Sequence, residues 1–173
     1  MFTRKLAVLL ASLGVAQAVG GAESPALGVP VDDATLQNID FTILPNGDGL
    51  PPGSGTAREG AAVYLKYCQA CHGDGGTGGV NDVLVGGQGS LNTAAPQKTI
   101  GSYWPYATTV FDYIRRAMPL PTPGVLSADE IYAVTAYILH LNDIIPEDQA
   151  MTAETLPRVE MPNRDGFVWA YSP

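Results

Sequence analysis

The feature that most constrains this chain is the pentapeptide Cys68-Gln-Ala-Cys71-His72, which holds both cysteines of the sequence. This spacing is typical of covalent haem attachment, in which two thiols add to the haem vinyl groups and the histidine binds the iron. A C-x-x-C redox dithiol would normally lie near a βαβ pattern, which the sequence lacks. A zinc site would need ligands beyond the two thiols, His72 and His140, and the usual histidine spacing is missing. The pentapeptide therefore predicts one covalently bound haem c.

The second predicted ligand of the iron is Met118, which lies in a proline-rich loop and is followed directly by Pro119. A methionine sulfur in this position raises the reduction potential and favours electron transfer over oxygen binding. Met161 is also followed by a proline, and His140 lies within a predicted helix, so both stay as alternatives. Met118 could also fill space in the core. We predict that His72 and Met118 are the two protein ligands of the iron.

Two further groups of side chains are candidates for contact with the haem. The segment 103–106, Tyr-Trp-Pro-Tyr, could form one wall of the haem site, with the Trp104 indole or a tyrosine hydroxyl donating to a propionate. Ordinary aromatic packing in the core explains it equally well. Arg115 or Arg116 could neutralise a propionate, but exposure at a helix end is the more common situation for such a pair.

The first 18 residues have the features of a secretory signal. Arg4 and Lys5 precede an apolar run, which ends at the small-residue sequence Ala16-Gln17-Ala18. The alternative, a membrane anchor, needs about 20 apolar residues, more than this run offers. We therefore predict a signal peptide over residues 1–18, cleavage after Ala18, and a periplasmic protein without a membrane span.

The charge of the chain limits its partners. The sequence has 9 basic and 17 acidic residues, and loss of residues 1–18 would remove two basic residues and no acidic one. Nucleic-acid binding calls for a basic surface, and an acidic protein is not attracted to anionic lipid. We expect no nucleic-acid partner; the acidic charge could guide docking onto a basic protein surface or simply support solubility.

Helical patterns predict an all-α fold. The first helix begins at Ala57 and ends at the pentapeptide, the second covers about 105–117, and the third runs from Ser127 to about Asn142. Gly60 within the first helix suggests a close contact with another helix, and residues 127–130 form a capping box. We predict a Pro/Gly-rich extended arm over 19–56, a monohaem domain over 57–145 and an irregular tail over 146–173 packed on that domain.

The pentapeptide, the Met118-Pro119 loop and the terminal helix together resemble class I c-type cytochromes. Other segments are similar to the cytochrome subunits of bacterial sulfite dehydrogenases and to the sulfur-oxidation (Sox) cytochromes. These segments are distributed along most of the chain and are residues 49–55, 100–106, 111–119, 136–142 and 161–167.

The resemblance implies the class I cytochrome c fold, in which a few helices and long loops surround one covalent haem, with Met118 as the sixth iron ligand. It also implies an electron-transfer protein and not an enzyme, which accepts electrons from a molybdenum sulfite dehydrogenase catalytic subunit and passes them to a downstream cytochrome or oxidase. Two alternatives stay open. The chain could serve another periplasmic dehydrogenase, or its haem could have an open position that binds a small ligand.

Overall fold

A computed structural model describes residues 27–168, 170 and 171 of this protein. Two helices that pack against each other form its centre. Helix α2 spans Ala57–Tyr67 and helix α5 spans Ala128–Leu141. Each begins with a capping box, Thr56 with Glu59 in α2 and Ser127 with Glu130 in α5. Such boxes satisfy backbone N–H groups that have no partner in the first turn of a helix. The predicted signal peptide, residues 1–18, lies outside the described residues.

Helices α2 and α5 approach closely because glycine stands at their contact. Gly60 is buried, and a Cβ atom at this position would overlap the backbone carbonyl group of Ala133 in α5. One turn further along α2, the rings of Tyr64 and Tyr137 lie 5.3 Å apart. The prediction that Gly60 marks a close contact with another helix is confirmed.

Helix α4, which spans Ala107–Ala117, completes the helical core. Its Phe111 ring lies 4.5 Å from the ring of Tyr132 in α5, and both side chains are fully buried. Helix α3, a single turn over Gln69–His72, follows α2 directly. The apolar face of α4 therefore packs on the face of α5 that α2 does not cover.

The segments before α2 and after α5 meet on the surface of the helices. Strand β1, Ser54–Gly55, pairs antiparallel with strand β2, Met151–Thr152. The tail that follows α5 buries Met151, Leu156 and Met161 against the core. A short helix α1, Asp33–Ile39, precedes these elements.

The prediction of an all-α fold is confirmed, and the three predicted helices correspond to α2, α4 and α5. Two features differ from the predictions. Helix α1 lies in the segment 19–56, which was expected to be extended, and the sequence showed no strand pattern. Helix α1 is seven residues long and its N-cap Asp32 accepts a hydrogen bond from Thr35 N at 2.7 Å. Two-residue strands and a helix of this length are too short to produce a hydrophobic period.

Among the described residues, no helix has the length and apolar character that crossing a membrane requires.

Replacement of Gly60 by alanine tests the helix contact, because the contact and helix propensity predict opposite signs for the change in the free energy of unfolding. Helix propensity alone favours alanine by about 1 kcal/mol, whereas the overlap with Ala133 predicts a loss of about 1 to 3 kcal/mol in the free energy of unfolding. Denaturant unfolding of the purified protein measures this. The control is Ala62→Gly, at an exposed position of the same helix, which should cost about 1 kcal/mol from propensity. A more stable Gly60→Ala protein would contradict the contact.

Candidate functional site

A cavity of about 740 Å³ lies between the C-terminal end of α2, helix α4, helix α5 and three loops. Most of its lining side chains are apolar, and its charged side chains are Asp82 and Lys98. Cavities of this size and character are typical of sites for cofactors and small molecules. The lining consists of Tyr67, Cys68, Cys71, His72, Val80, Asn81, Asp82, Val83, Leu84, Lys98, Thr99, Ile100, Trp104, Val110, Tyr113, Ile114, Met118, Pro119, Leu120, Pro121, Leu126, Val134 and Ile138.

Two hydrogen bonds hold the backbone at the end of the pentapeptide. The buried Tyr64 hydroxyl donates a hydrogen bond to the Gly73 carbonyl oxygen at 3.0 Å. Burial raises the pKa of Tyr64 to about 12, so the hydroxyl keeps its proton and acts as a donor at neutral pH. On the other side, Asn81 N donates to the Cys71 carbonyl oxygen at 2.9 Å. These contacts hold the short helix α3 in place against the cavity.

His72 is oriented by a backbone carbonyl group. Its Nδ1 atom lies 2.8 Å from the Asp82 carbonyl oxygen. A carbonyl oxygen only accepts, so this hydrogen bond requires a proton on Nδ1, and whenever the ring binds a metal the free lone pair is that of Nε2. Metal-binding histidines commonly donate their other ring N–H in this way, which fixes both the tautomer and the direction of the ring. His72 is thus oriented to bind a metal through Nε2.

Both cysteines line the cavity and are partly buried. Burial, with a smaller contribution from Cys71, raises the pKa of the Cys68 thiol to about 11. Reactive cysteines of redox dithiols have a lowered pKa, so this environment argues against the dithiol interpretation. Within the described ranges, no group of three or more His, Cys, Asp and Glu side chains could hold a metal ion, which argues against the zinc interpretation.

Met118 enters the cavity lining at the point where α4 ends. Its backbone N–H donates to the Ile114 carbonyl oxygen at 3.0 Å and closes the last turn of the helix. The next residue, Pro119, cannot continue a helix because it lacks an N–H group. The chain then turns back, with Thr122 N donating to the Pro119 carbonyl oxygen at 2.9 Å. The thioether therefore stands on a hydrogen-bonded and proline-restricted segment.

The alternative ligands lie elsewhere. Met161 is buried in the core, 3% exposed, and is not part of the cavity lining. Met151 is fully buried beside strand β1. His140 is also absent from the lining, and its Nδ1 atom lies 3.2 Å from the Ile145 carbonyl oxygen. Of the histidines and methionines considered as ligands, His72 and Met118 share the cavity with the two cysteines.

The aromatic candidates and the arginine pair separate in the structure. Trp104 lines the cavity, and its ring lies 5.6 Å from the ring of Tyr113, another lining residue. Arg115 and Arg116 are not in the lining. Arg116 forms an ion pair with Asp112 and donates to the Phe41 carbonyl oxygen, and Arg115 also reaches that carbonyl.

One residue that shapes the site was not recognised in the sequence. The side chain of the buried Asn142, just after α5, accepts from Gly86 N at 3.0 Å and donates to the Leu84 carbonyl oxygen at 3.2 Å. It also donates to the Ile138 carbonyl oxygen at 2.9 Å. Leu84 and Ile138 both line the cavity, so Asn142 ties a loop of the cavity wall to α5. An asparagine at a helix end has the same sequence signature as an ordinary cap, which gives no sign of this role.

The residues present fit a haem group. The cavity offers an apolar lining for a flat ring system and two thiols, Cys68 just before helix α3 and Cys71 within it. It also offers a nitrogen and a sulfur ligand of the types that bind haem iron. Lys98 and the Trp104 indole offer a cation and an N–H donor for the carboxylate edge of the cofactor.

Comparisons with known proteins agree with this arrangement. A model of the family described as cytochrome c oxidase, cbb3-type, subunit III matches residues 55–138. The structure is also similar to a chain in the crystal structure of the sulfane dehydrogenase SoxCD from Paracoccus pantotrophus, with a TM-score of 0.79 and 41% sequence identity. The match covers 84% of this chain and 72% of that chain. A search of curated proteins found no match.

Replacement of Asn142 by leucine tests its role in the cavity wall. The substitution keeps the side-chain size but leaves Gly86 N without its partner, while the Leu84 carbonyl oxygen keeps its hydrogen bond from Ile100 N. Because an unsatisfied buried polar group costs about 1 to 3 kcal/mol, we expect a loss of this size in the free energy of unfolding. Denaturant unfolding measures it, with the exposed Asn92→Ala as control, which should change stability by less than about 0.5 kcal/mol. Equal stability of Asn142→Leu and wild type would contradict the role.

Proposed function

Because this chain belongs to the class I c-type cytochromes and lies near the Sox cytochromes among them, we propose that it transfers single electrons on one covalently bound haem c. The observation that carries the proposal is the meeting of Cys68, Cys71, His72 and Met118 on the wall of a single cavity. In c-type cytochromes the iron supplies the redox chemistry, while the protein binds, orients and tunes the cofactor.

Each of these four residues has a separate task in the proposal. Cys68 and Cys71 attach the haem through thioether bonds, and His72 binds the iron through Nε2, since its Nδ1 proton is held by the Asp82 carbonyl oxygen. The Met118 thioether would hold the iron as its second protein ligand. A methionine in this place stabilises the reduced iron and closes the position where oxygen would bind.

The closed iron position supports a carrier without catalytic activity of its own. The competing function, a haem protein that binds a small ligand, requires Met118 to leave the iron easily. Hydrogen bonds on both sides of Met118 and the prolines of its loop oppose such movement. We therefore favour electron transfer over ligand binding.

The proposed place of the protein is the periplasm, after removal of residues 1–18. There it accepts electrons from a sulfite dehydrogenase catalytic subunit and passes them to a downstream cytochrome or oxidase. Its resemblance to the cytochrome subunits of sulfite dehydrogenases supports this partner. A partner that oxidises sulfane sulfur is the second candidate, and the 41% identity to a chain of the sulfane dehydrogenase SoxCD favours it.

Replacement of Met118 by alanine tests the iron ligands. Ferric haem with a methionine ligand shows a weak sulfur-to-iron charge-transfer band at the red end of the visible spectrum. We expect this band in the oxidised wild-type protein and its loss in Met118→Ala, together with a lower reduction potential.

The matched control for Met118→Ala is Met161→Ala, which removes a buried methionine that does not line the cavity. The band should persist in this variant even though the lost packing lowers its stability by about 2 to 5 kcal/mol. Loss of the band in Met161→Ala with retention in Met118→Ala would reverse the ligand assignment.

Reduction assays test the proposed donor. The oxidised protein is mixed with a sulfite dehydrogenase catalytic subunit and sulfite, or with a sulfane-oxidising catalytic subunit and its sulfur substrate, and haem reduction is followed by absorbance. We expect rapid, substrate-dependent reduction in the first mixture, while reduction in the second mixture alone would favour the second candidate. Controls omit the substrate. If neither mixture reduces the haem, both proposed donors are wrong.

A further inference from the structure

Among the residues that the structure describes, Lys98 is the one lysine or arginine in the cavity lining. Among the described residues no carboxylate lies within ion-pair distance of Lys98, and its Nζ atom stands 5.2 Å from the centre of the Tyr103 ring. The Trp104 indole N–H, also in the lining, has no hydrogen-bond partner among the described residues. The wall segment 98–104 thus presents a free cation and a free N–H donor to the cavity.

We propose that Lys98 and Trp104 bind the carboxylate edge of the haem, an inference that rests on the proposed function. Haem c has two propionate groups, and its attachment through the vinyl groups leaves both carboxylates free. The protein has a formal net charge of −8, so two more negative charges meet an unfavourable electrostatic environment. A cation and an N–H donor at the carboxylates offset this cost, because charged groups removed from water need partners.

The segment that carries these two residues is held rigidly. Thr99 Oγ1 donates to the Gly86 carbonyl oxygen and accepts from Ser102 N at 3.2 Å. Ser102 Oγ accepts from Thr99 N at 2.9 Å and donates to the Gln97 carbonyl oxygen at 2.6 Å. Both Thr99 and Ser102 are buried. This network fixes the backbone between Lys98 and Trp104, so the two side chains start from set positions on the cavity wall.

The other cations near the site are already engaged. Arg115 and Arg116 both donate to the Phe41 carbonyl oxygen, and their guanidinium groups lie 5.4 Å and 4.4 Å from the Phe41 ring centre. Arg116 is also paired with Asp112 at 2.8 Å. Neither side chain lines the cavity. The sequence suggested that one arginine of this pair could neutralise a propionate. We assign this role to Lys98 instead.

A positive charge beside the haem favours the reduced iron, because the oxidised form carries one more positive charge. The test therefore measures the reduction potential of the secreted holoprotein for wild type, K98Q, K98R and K66Q. We expect K98Q to shift the electron-exchange equilibrium with a fixed mediator toward the oxidised protein by about threefold or more at low salt. K98R keeps the charge and should stay near the wild-type potential.

K66Q is the matched control. Lys66 loses the same charge, and its Nζ atom also lies over the ring of a neighbouring tyrosine, 4.5 Å from the Tyr67 ring centre, but Lys66 does not line the cavity. Its potential should stay closer to that of wild type than to that of K98Q. Resonance Raman spectra give a direct reading, because the propionate bending bands should shift in K98Q and W104F and stay unchanged in K66Q.

The measurements distinguish a failure of the Lys98 proposal from a failure of the proposed function. If the wild-type protein carries covalent haem but K98Q and K66Q have equal potentials and unchanged propionate bands, Lys98 does not bind the propionates and the proposed function still stands. If the wild-type protein carries no covalent haem in a pyridine haemochrome assay, the proposed function fails and this inference fails with it.

Discussion

The contact between Gly60 and Ala133 determines where the candidate site can form. Helix α2 carries the pentapeptide at its C-terminal end, and α5 contributes Val134 and Ile138 to the opposite part of the same cavity. The distance between these two walls depends on how closely the helices approach, and a side chain at position 60 would separate them. A core interaction more than two helical turns away from His72 therefore sets the width of the cavity that receives the cofactor.

The two predicted iron ligands reach the cavity by different structural means. His72 belongs to a short helix whose end is held by the hydrogen bond from the Tyr64 hydroxyl to the Gly73 carbonyl oxygen. Its ring is oriented by the Asp82 carbonyl oxygen. Met118 lies where α4 stops, and its neighbour Pro119 ensures that the helix ends there. One ligand is thus held by hydrogen bonds to its ring and backbone, and the other by the end of a helix. In the proposed electron transfer, both arrangements would limit movement when the charge of the iron changes by one.

Much of the site could be predicted from the sequence because its chemistry is concentrated in short motifs. The pentapeptide fixes the relative spacing of two thiols and a histidine, the capping box at Ser127 marks the start of α5, and Gly60 indicates a close helix contact. Asn142 was not recognised because its partners Leu84 and Gly86 are distant in the chain, and Lys98 was not recognised because only the fold places it in the cavity lining. The partner of His72 is a backbone carbonyl group, which leaves no trace in residue type. Helix α1 and the strands were missed because they are too short for a hydrophobic pattern to repeat recognisably.

The hydrogen bonds around the cavity have a common consequence for electron transfer. Asn142 ties the 84–86 loop to α5, and Thr99 and Ser102 close the 97–102 loop, so hydrogen bonds within the protein hold two parts of the wall. Fixed dipoles stabilise a changing charge without the cost of reorganising at the moment of transfer. A wall of freely moving polar groups would instead rearrange with each change of the iron charge and slow the exchange. In the proposed electron transfer, the polar groups of this cavity wall would therefore assist the exchange, although none of these three side chains is proposed to touch the iron.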